Sequence, residues 1–149
     1  MTDTYETVSE PVSVTCRVKL KNNWPPRFAH IEATIKPANG RAFEAVAASD
    51  DTGTDWPHLE AIMREAFEDC AADGILGVGP VDDVSMRIDR ILVHHRDSDG
   101  DDFATAVRLA LTEAITRAPL AIRNGNPVDV AERERHVPRF FTVTGQLAA

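Results

Sequence analysis

The chain has 149 residues, the length of a single domain, and it is too short for two ordinary domains joined by a linker. Hydrophobic residues make up 43% and charged residues 27%, which excludes a fully disordered chain, and no apolar stretch is long enough to span a bilayer. The first ten residues are acidic and polar, without the basic start and apolar run of a secretory signal. We therefore expect a cytoplasmic protein with no membrane partner.

The net charge of −8 is unevenly distributed along the chain. Residues 11–40 carry +4 and residues 105–149 carry +2, whereas residues 41–104 carry −11. A protein that binds nucleic acid through phosphate contacts alone normally has a basic excess, so the composition disfavours generic nucleic-acid binding. A local basic patch can still meet RNA, because an acidic body orients a basic tip toward a polyanion.

Alternating apolar residues predict three strands in the first third of the chain. The first run covers residues 12–20, and the Asn-Asn-Trp-Pro-Pro segment at 22–26 then reverses the chain. The second run begins at Phe28, and the third follows Asn39 and Gly40, a pair typical of a tight hairpin. The second and third strands are therefore predicted to be antiparallel neighbours.

Two amphipathic helices and a fourth strand follow. The first helix is predicted to begin after the N-cap Asp55 and to end at Gly74, and the second is predicted to begin near Asp102. Between them, the alternation of a long strand changes phase between Ile88 and Ile91, which indicates a bulge. The core predicted between the sheet and the helices consists of Ile31, Ile35, Phe43, Leu59, Ile62, Met63, Phe67, Val84, Met86, Ile88, Phe103, Val107 and Leu111.

The sequence offers few groups for catalysis. Cys16 and Cys70 are far apart and belong to no Cys/His cluster, so we interpret them as reduced core residues. No lysine follows a glycine, which excludes a phosphate-binding loop of the Walker type and with it a GTPase motif. Motifs of dinucleotide-binding folds, zinc proteases and serine hydrolases are also absent. We predict no catalytic residue and no cofactor.

An acidic segment that follows two histidines is the best lead for a metal site. Asp97, Asp99 and Asp101 match the first ligand positions of a calcium loop, but Asp102 and Arg108 replace the glycine and the glutamate that such a loop needs. Carboxylates at the start of a helix also cap its free amides. We therefore predict no tight metal site, and a metal-dependent enzyme that uses His94, His95 and Asp97 remains an alternative.

Three blocks of residues give the chain a resemblance to domain IV of translation elongation factor G. Residues 40–46 (Gly-Arg-Ala-Phe-Glu-Ala-Val) look like a glycine-x-x-phenylalanine strand of that domain. The third block, residues 93–114, is similar to the family's Tyr-His-x-Val-Asp-Ser-Ser-Glu-x-Ala-Phe-x-x-Ala-x-x-x-Ala run. It is approximately matched by His95, Asp97, Ser98, Ala104 and Ala110. The second block, residues 56–84, keeps the family order at Ala66, Gly74, Leu76, Gly77, Pro80, Val81, Asp83 and Val84.

The resemblance implies an α+β fold: a four-stranded mixed sheet with two helices packed on one face, joined by a left-handed βαβ crossover. We assign residues 12–120 to this domain. Residues 1–11 are predicted to be a flexible acidic N-terminus, and residues 121–149 a C-terminal extension that can form a short strand over 139–144. Because no GTPase motif is present, translocation is not expected of this chain.

In elongation factor G, two tip loops of this domain enter the ribosomal decoding centre, and their counterparts here form the predicted site. The glycines of the first family loop are replaced here by residues 21–27, which offer Trp24 as a stacking platform. We predict a non-enzymatic protein that binds the ribosome or a translation-related RNA or protein, with a repurposed scaffold for a small molecule or protein as the alternative. The predicted partner-binding residues are Lys21, Asn22, Asn23, Trp24, Arg27, His94, His95 and Arg96.

Overall fold

In a computed structural model of the chain, the structure describes residues 4–20, 27–46, 56–93, 100–130 and 136–148. These residues form eight strands and two helices. They are β1 (Thr4–Val8), β2 (Val12–Leu20), β3 (Arg27–Pro37), β4 (Ala42–Ala45), α1 (Trp56–Asp73), β5 (Val84–Leu92), α2 (Gly100–Arg117), β6 (Pro119–Arg123), β7 (Asn126–Val128) and β8 (Phe141–Leu147).

The main layer is a five-stranded sheet in the order β4-β5-β3-β2-β8. Strands β4 and β5 are parallel and are connected through α1, whereas the other neighbouring pairs are antiparallel. This confirms the predicted α+β class and the mixed sheet, with one difference. The sheet has five strands instead of four, because β8 from the C-terminal region pairs along β2.

Both helices pack on one face of this sheet. Helix α2 crosses β2, β3 and β8, and α1 lies beside α2 over β4. Twelve of the thirteen predicted core residues are buried, and Ile62 packs against them while remaining partly exposed. Binary patterning predicted this layer well because each apolar face follows from the local period of its own element.

The helix and bulge predictions are confirmed where the structure describes the residues concerned. Helix α1 ends before Gly74, whose φ of +76° is the left-handed conformation expected after a helix. The β3–β5 ladder shifts register between Glu32 and Ala33, so Asp89 is the extra residue of the predicted bulge. The predicted N-cap, Asp55, lies outside the described residues.

The predicted hairpin at Asn39 and Gly40 is wrong. Gly40 does make a turn, with a φ of +82°, but β5 lies between β3 and β4, so these two strands do not pair. The backbone N–H of Gly40 donates to Oδ1 of Asp83 at 2.9 Å, and that of Ala38 donates to the Asp83 carbonyl. The turn is therefore held to the residue that precedes β5, which leaves room for β5 between the two strands.

The acidic N-terminus is structured from Thr4 onward, contrary to the prediction of a flexible segment over residues 1–11. Strand β1 pairs with β6, and β6 pairs with β7 in a second, three-stranded sheet. Glu6 is fully buried, and its carboxylate accepts hydrogen bonds from four backbone N–H groups in the segment 74–79 that follows α1. The sequence predicted an exposed Glu6 because the backbone groups that bind its carboxylate lie about seventy residues further along the chain.

Residues 121–149 include most of β6, all of β7 and all of β8, so this region belongs to the two sheets instead of extending from them. The strand predicted over 139–144 is observed as β8, which begins two residues later and ends three residues later. No helix within the described ranges is both long and apolar enough to cross a membrane.

Candidate nucleic-acid interface

Several connections meet at one end of the five-stranded sheet, which we call the loop end. Strands β2 and β5 run toward it and end there at Leu20 and Leu92, and β3 and β8 start there at Arg27 and Phe141. Leu20 pairs with Arg27, and Leu92 pairs with His30 three residues further along β3. The residues that flank segments 21–26 and 94–99 therefore lie at the same end of the sheet, on strands β2 and β5 at either side of β3.

An ion pair joins the bases of these two segments. Arg27, the residue after segment 21–26, donates from Nε and Nη2 to the two carboxylate oxygens of Asp102, at 3.2 and 2.5 Å. Asp102 lies in the first turn of α2, shortly after segment 94–99, and its side chain is 8% exposed. The two N–H groups bind both carboxylate oxygens, a bidentate geometry that fixes orientation as well as distance.

The same guanidinium also lies over the ring of Phe141, 5.5 Å from its centroid, so Arg27 contacts β8 in addition to α2. Its positive charge is compensated by Asp102, which reduces what it can offer to a polyanion. Arg27 was predicted from sequence as a partner-binding cation. In this geometry Arg27 links the start of β3 to the first turn of α2, and its role in partner binding stays a prediction.

The other predicted site residues lie outside the described residues. These are Lys21, Asn22, Asn23 and Trp24 in the first segment, and His94, His95 and Arg96 in the second. The structure brings together the residues that flank the two segments, at Leu20, Arg27, Val93 and Gly100.

A second feature beside the loop end escaped the sequence analysis. The helices cover one face of the five-stranded sheet, and we call the other the open face. Arg17 and Lys19 of β2 are exposed there, because they alternate with buried residues such as Cys16 and Val18. Arg17 pairs with His30, and Lys19 pairs with Phe28, on the adjacent strand β3.

Comparison with known proteins agrees with this architecture. The sequence matches the family described as "Elongation factor G, domain IV" over residues 2–119. The chain belongs to the elongation factor G domain IV family. No curated protein matches the sequence.

A crystal structure of a protein from Thermus thermophilus has the same fold, with a TM-score of 0.65 and 19% sequence identity. The similarity covers 81% of this chain and 18% of that protein, so the chain spans about a fifth of the length of its solved neighbour. At this identity the comparison shows the fold alone and carries no site residue across.

The family match ends at residue 119, yet the chain beyond it contributes to the loop end. Phe140 has a φ of +75° and is 43% exposed, directly before β8, and the Arg139 guanidinium lies 4.8 Å from its ring centroid. Val137, 41% exposed, lies in the same approach to β8. Sequence reasoning placed these residues in a C-terminal extension. The sequence signal that could have found them is the alternation of apolar and polar residues in β8. A strand of this kind needs a partner strand, which places the residues just before it beside the main sheet.

Groups suited to catalysis are sparse in the part of the chain that the structure describes. Both cysteines are free, and burial raises the pKa of the Cys16 thiol to about 12 and also raises the pKa of Cys70. A thiol with a raised pKa is a poor nucleophile at neutral pH. Among the described residues, no group of three His, Cys, Asp or Glu side chains is arranged to hold a metal ion. His94, His95 and Asp97 lie outside those residues.

Proposed function

We propose that this domain binds the ribosome through RNA contacts at the loop end and catalyses no reaction. The family supports a translation-factor type of domain. The observation that carries the proposal is the Arg27–Asp102 ion pair, because it holds the bases of segments 21–26 and 94–99 together. Two segments that are far apart in sequence can then contact one RNA surface.

The chemistry of the two segments suits RNA. Lys21 brings positive charge to the first segment, which contains no acid. In the second segment, Arg96 follows two histidines and precedes Asp97 and Asp99, so its positive charge is confined to the part nearest β5. Trp24 offers a ring on which a base can stack, a contact worth about 1–3 kcal/mol in single-stranded nucleic-acid complexes. His94 and His95 add ring nitrogens for polar contacts with RNA.

A second candidate is a protein partner at the same end. Three of the four large hydrophobic residues that are exposed in the described parts of the chain, Val46, Val137 and Phe140, lie in segments that lead to or from the loop end. Exposed apolar residues can form the centre of a protein interface. This candidate is distinguished by its weak dependence on salt.

Co-sedimentation with ribosomes tests the proposal. At about 50 mM salt we expect a bound fraction that falls steeply by about 200 mM, because each phosphate contact releases a counterion. The variants Trp24→Ala and Arg96→Ala should each lower the bound fraction, whereas Arg123→Ala, at the opposite end of the molecule, should leave it unchanged. Absence of binding at low salt contradicts a ribosomal role, and binding that resists salt favours the protein partner.

A further inference from the structure

We propose that the open face next to the loop end is a second contact surface, which binds the backbone and bases of single-stranded RNA. The surface consists of Arg17, Lys19, Phe28, His30 and Arg90, and we call it the open-face patch. It rests on the proposed function, since it would extend an RNA contact that begins at the loop end, but it is built from different residues and can fail independently.

The register of the sheet brings these side chains together. Lys19 lies beside Phe28 in one row across β2 and β3, and Arg17 lies beside His30 in the next. Directly paired residues on one face have Cβ atoms about 4.5–5.5 Å apart, and successive rows are about 7 Å apart. Each row thus combines one cation with one planar ring. Arg90 of β5 lies beside Glu32 in the row below.

The charges of the patch are only partly compensated. Glu32 is the one acid of β2, β3 and β5 within these rows, and it contacts both His30 Nε2 at 2.9 Å and Arg90 Nη1 at 3.6 Å. Arg17 is exposed, and no acidic side chain within the described residues forms an ion pair with it. Further down the same face, Arg87 is compensated by Glu44 and Asp89. Positive charge is therefore concentrated in the half of the face next to the loop end.

The opposite side of the molecule has the reverse sign. Helix α1, which lies beside α2 over β4, carries exposed acidic side chains at Glu65, Asp69 and Asp73. Its other two acids, Glu60 and Glu68, form ion pairs with Arg64 and Arg41. A polyanion is repelled from that side and attracted to the open face, although the chain as a whole carries −8. Charge complementarity therefore selects a polyanion, and the partly exposed ring of Phe28 selects one with planar bases. The His30 side chain is 14% exposed and its Nε2 contacts Glu32, so it adds only an edge to this surface.

The test is binding of a fluorescein-labelled, unstructured RNA of about 12 nucleotides, followed by fluorescence anisotropy at several salt concentrations. Combining Arg17→Ala with Lys19→Ala should raise the Kd by about fivefold at low salt and reduce the slope of log K against log salt by about 1.4, as expected for two lost contacts with a single strand. The matched control combines Lys36→Ala with Arg123→Ala, which removes the same charge at the opposite end. It should change the Kd by less than about twofold.

The proposal is overturned if the two double variants bind RNA equally, if the unaltered chain does not bind RNA at low salt, or if polyglutamate binds the patch as tightly as RNA does. Ribosome co-sedimentation separates this result from the fate of the loop-end proposal. Trp24→Ala tests the loop end and replaces none of the residues of the open-face patch. Loss of oligonucleotide binding in the Arg17/Lys19 variant alone, with ribosome binding absent throughout, supports the patch and contradicts the proposed function.

Discussion

Replacing Glu6 with glutamine is expected to lower the free energy of unfolding by about 3 kcal/mol or more, although the substitution removes almost no volume. The carboxylate accepts N–H groups from Ile75, Leu76, Val78 and Gly79 at 2.6, 2.7, 2.9 and 3.3 Å. In the glutamine variant, the side-chain NH₂ group would replace one carboxylate oxygen. It would then face backbone N–H groups, and two donors cannot form a hydrogen bond with each other. Because the side chain is fully buried, water cannot repair the mismatch.

Chemical denaturation of Glu6→Gln measures this loss, with Glu10→Gln as the matched control. Glu10 is exposed on the same N-terminal segment, so its substitution should change the free energy of unfolding by less than about 0.5 kcal/mol. Equal effects of the two substitutions would mean that the Glu6 contacts do not stabilise the fold. The pair also tests the correction to the N-terminus, since a flexible segment could not distinguish residue 6 from residue 10.

Gly74→Ala should destabilise the same region by a similar amount, about 3 kcal/mol or more. A Cβ at Gly74 would lie 2.2 Å from the carbonyl oxygen of Gly79, and its φ of +76° already disfavours a side chain. The neighbouring atom belongs to the backbone of the segment that binds Glu6, so it cannot move aside without breaking those hydrogen bonds.

Gly125 provides the control, because its φ is +81° but a Cβ there would meet nothing within 4 Å. Gly125→Ala should therefore lower the free energy of unfolding by only about 1–2 kcal/mol, the cost of placing a side chain in the left-handed conformation. Thermal or chemical denaturation of the two variants isolates the contribution of the close approach at Gly74. If both variants lose the same stability, the packing of segment 74–79 against the end of α1 is wrong.

Local sequence patterns predicted most of the helices and strands of this fold. The features that they did not predict depend on contacts between residues that are far apart in the sequence. The stripe of Leu59, Met63 and Phe67 predicted α1 because a helix repeats its buried face within a few residues. Asn39 and Gly40 correctly predicted a turn, but the strands on either side of that turn do not pair with each other as a hairpin would require. Nothing near that turn shows that β5, more than forty residues later, pairs with both flanking strands.

The candidate site divides in the same way. Sequence alone identified the two segments that carry Lys21, Trp24 and Arg96, and the structure brings their flanking residues together. It could not show that the charge of Arg27 is bound by Asp102, 75 positions away. The exposed side of β2 was also overlooked, because a half-buried strand draws attention to its apolar residues and leaves the alternate ones, such as Arg17, unassigned.

The most direct test of RNA contact at the loop end is site-specific photo-crosslinking in the presence of ribosomes. A photoreactive residue in place of Trp24 should attach to ribosomal RNA, and the attachment should disappear as salt is raised. One in place of Asn124, in the β6–β7 turn on the small sheet away from the loop end, should not attach. Crosslinking to RNA from position 124 but not from position 24, or to ribosomal protein alone from position 24, would contradict the assignment of the loop end as the RNA-binding surface.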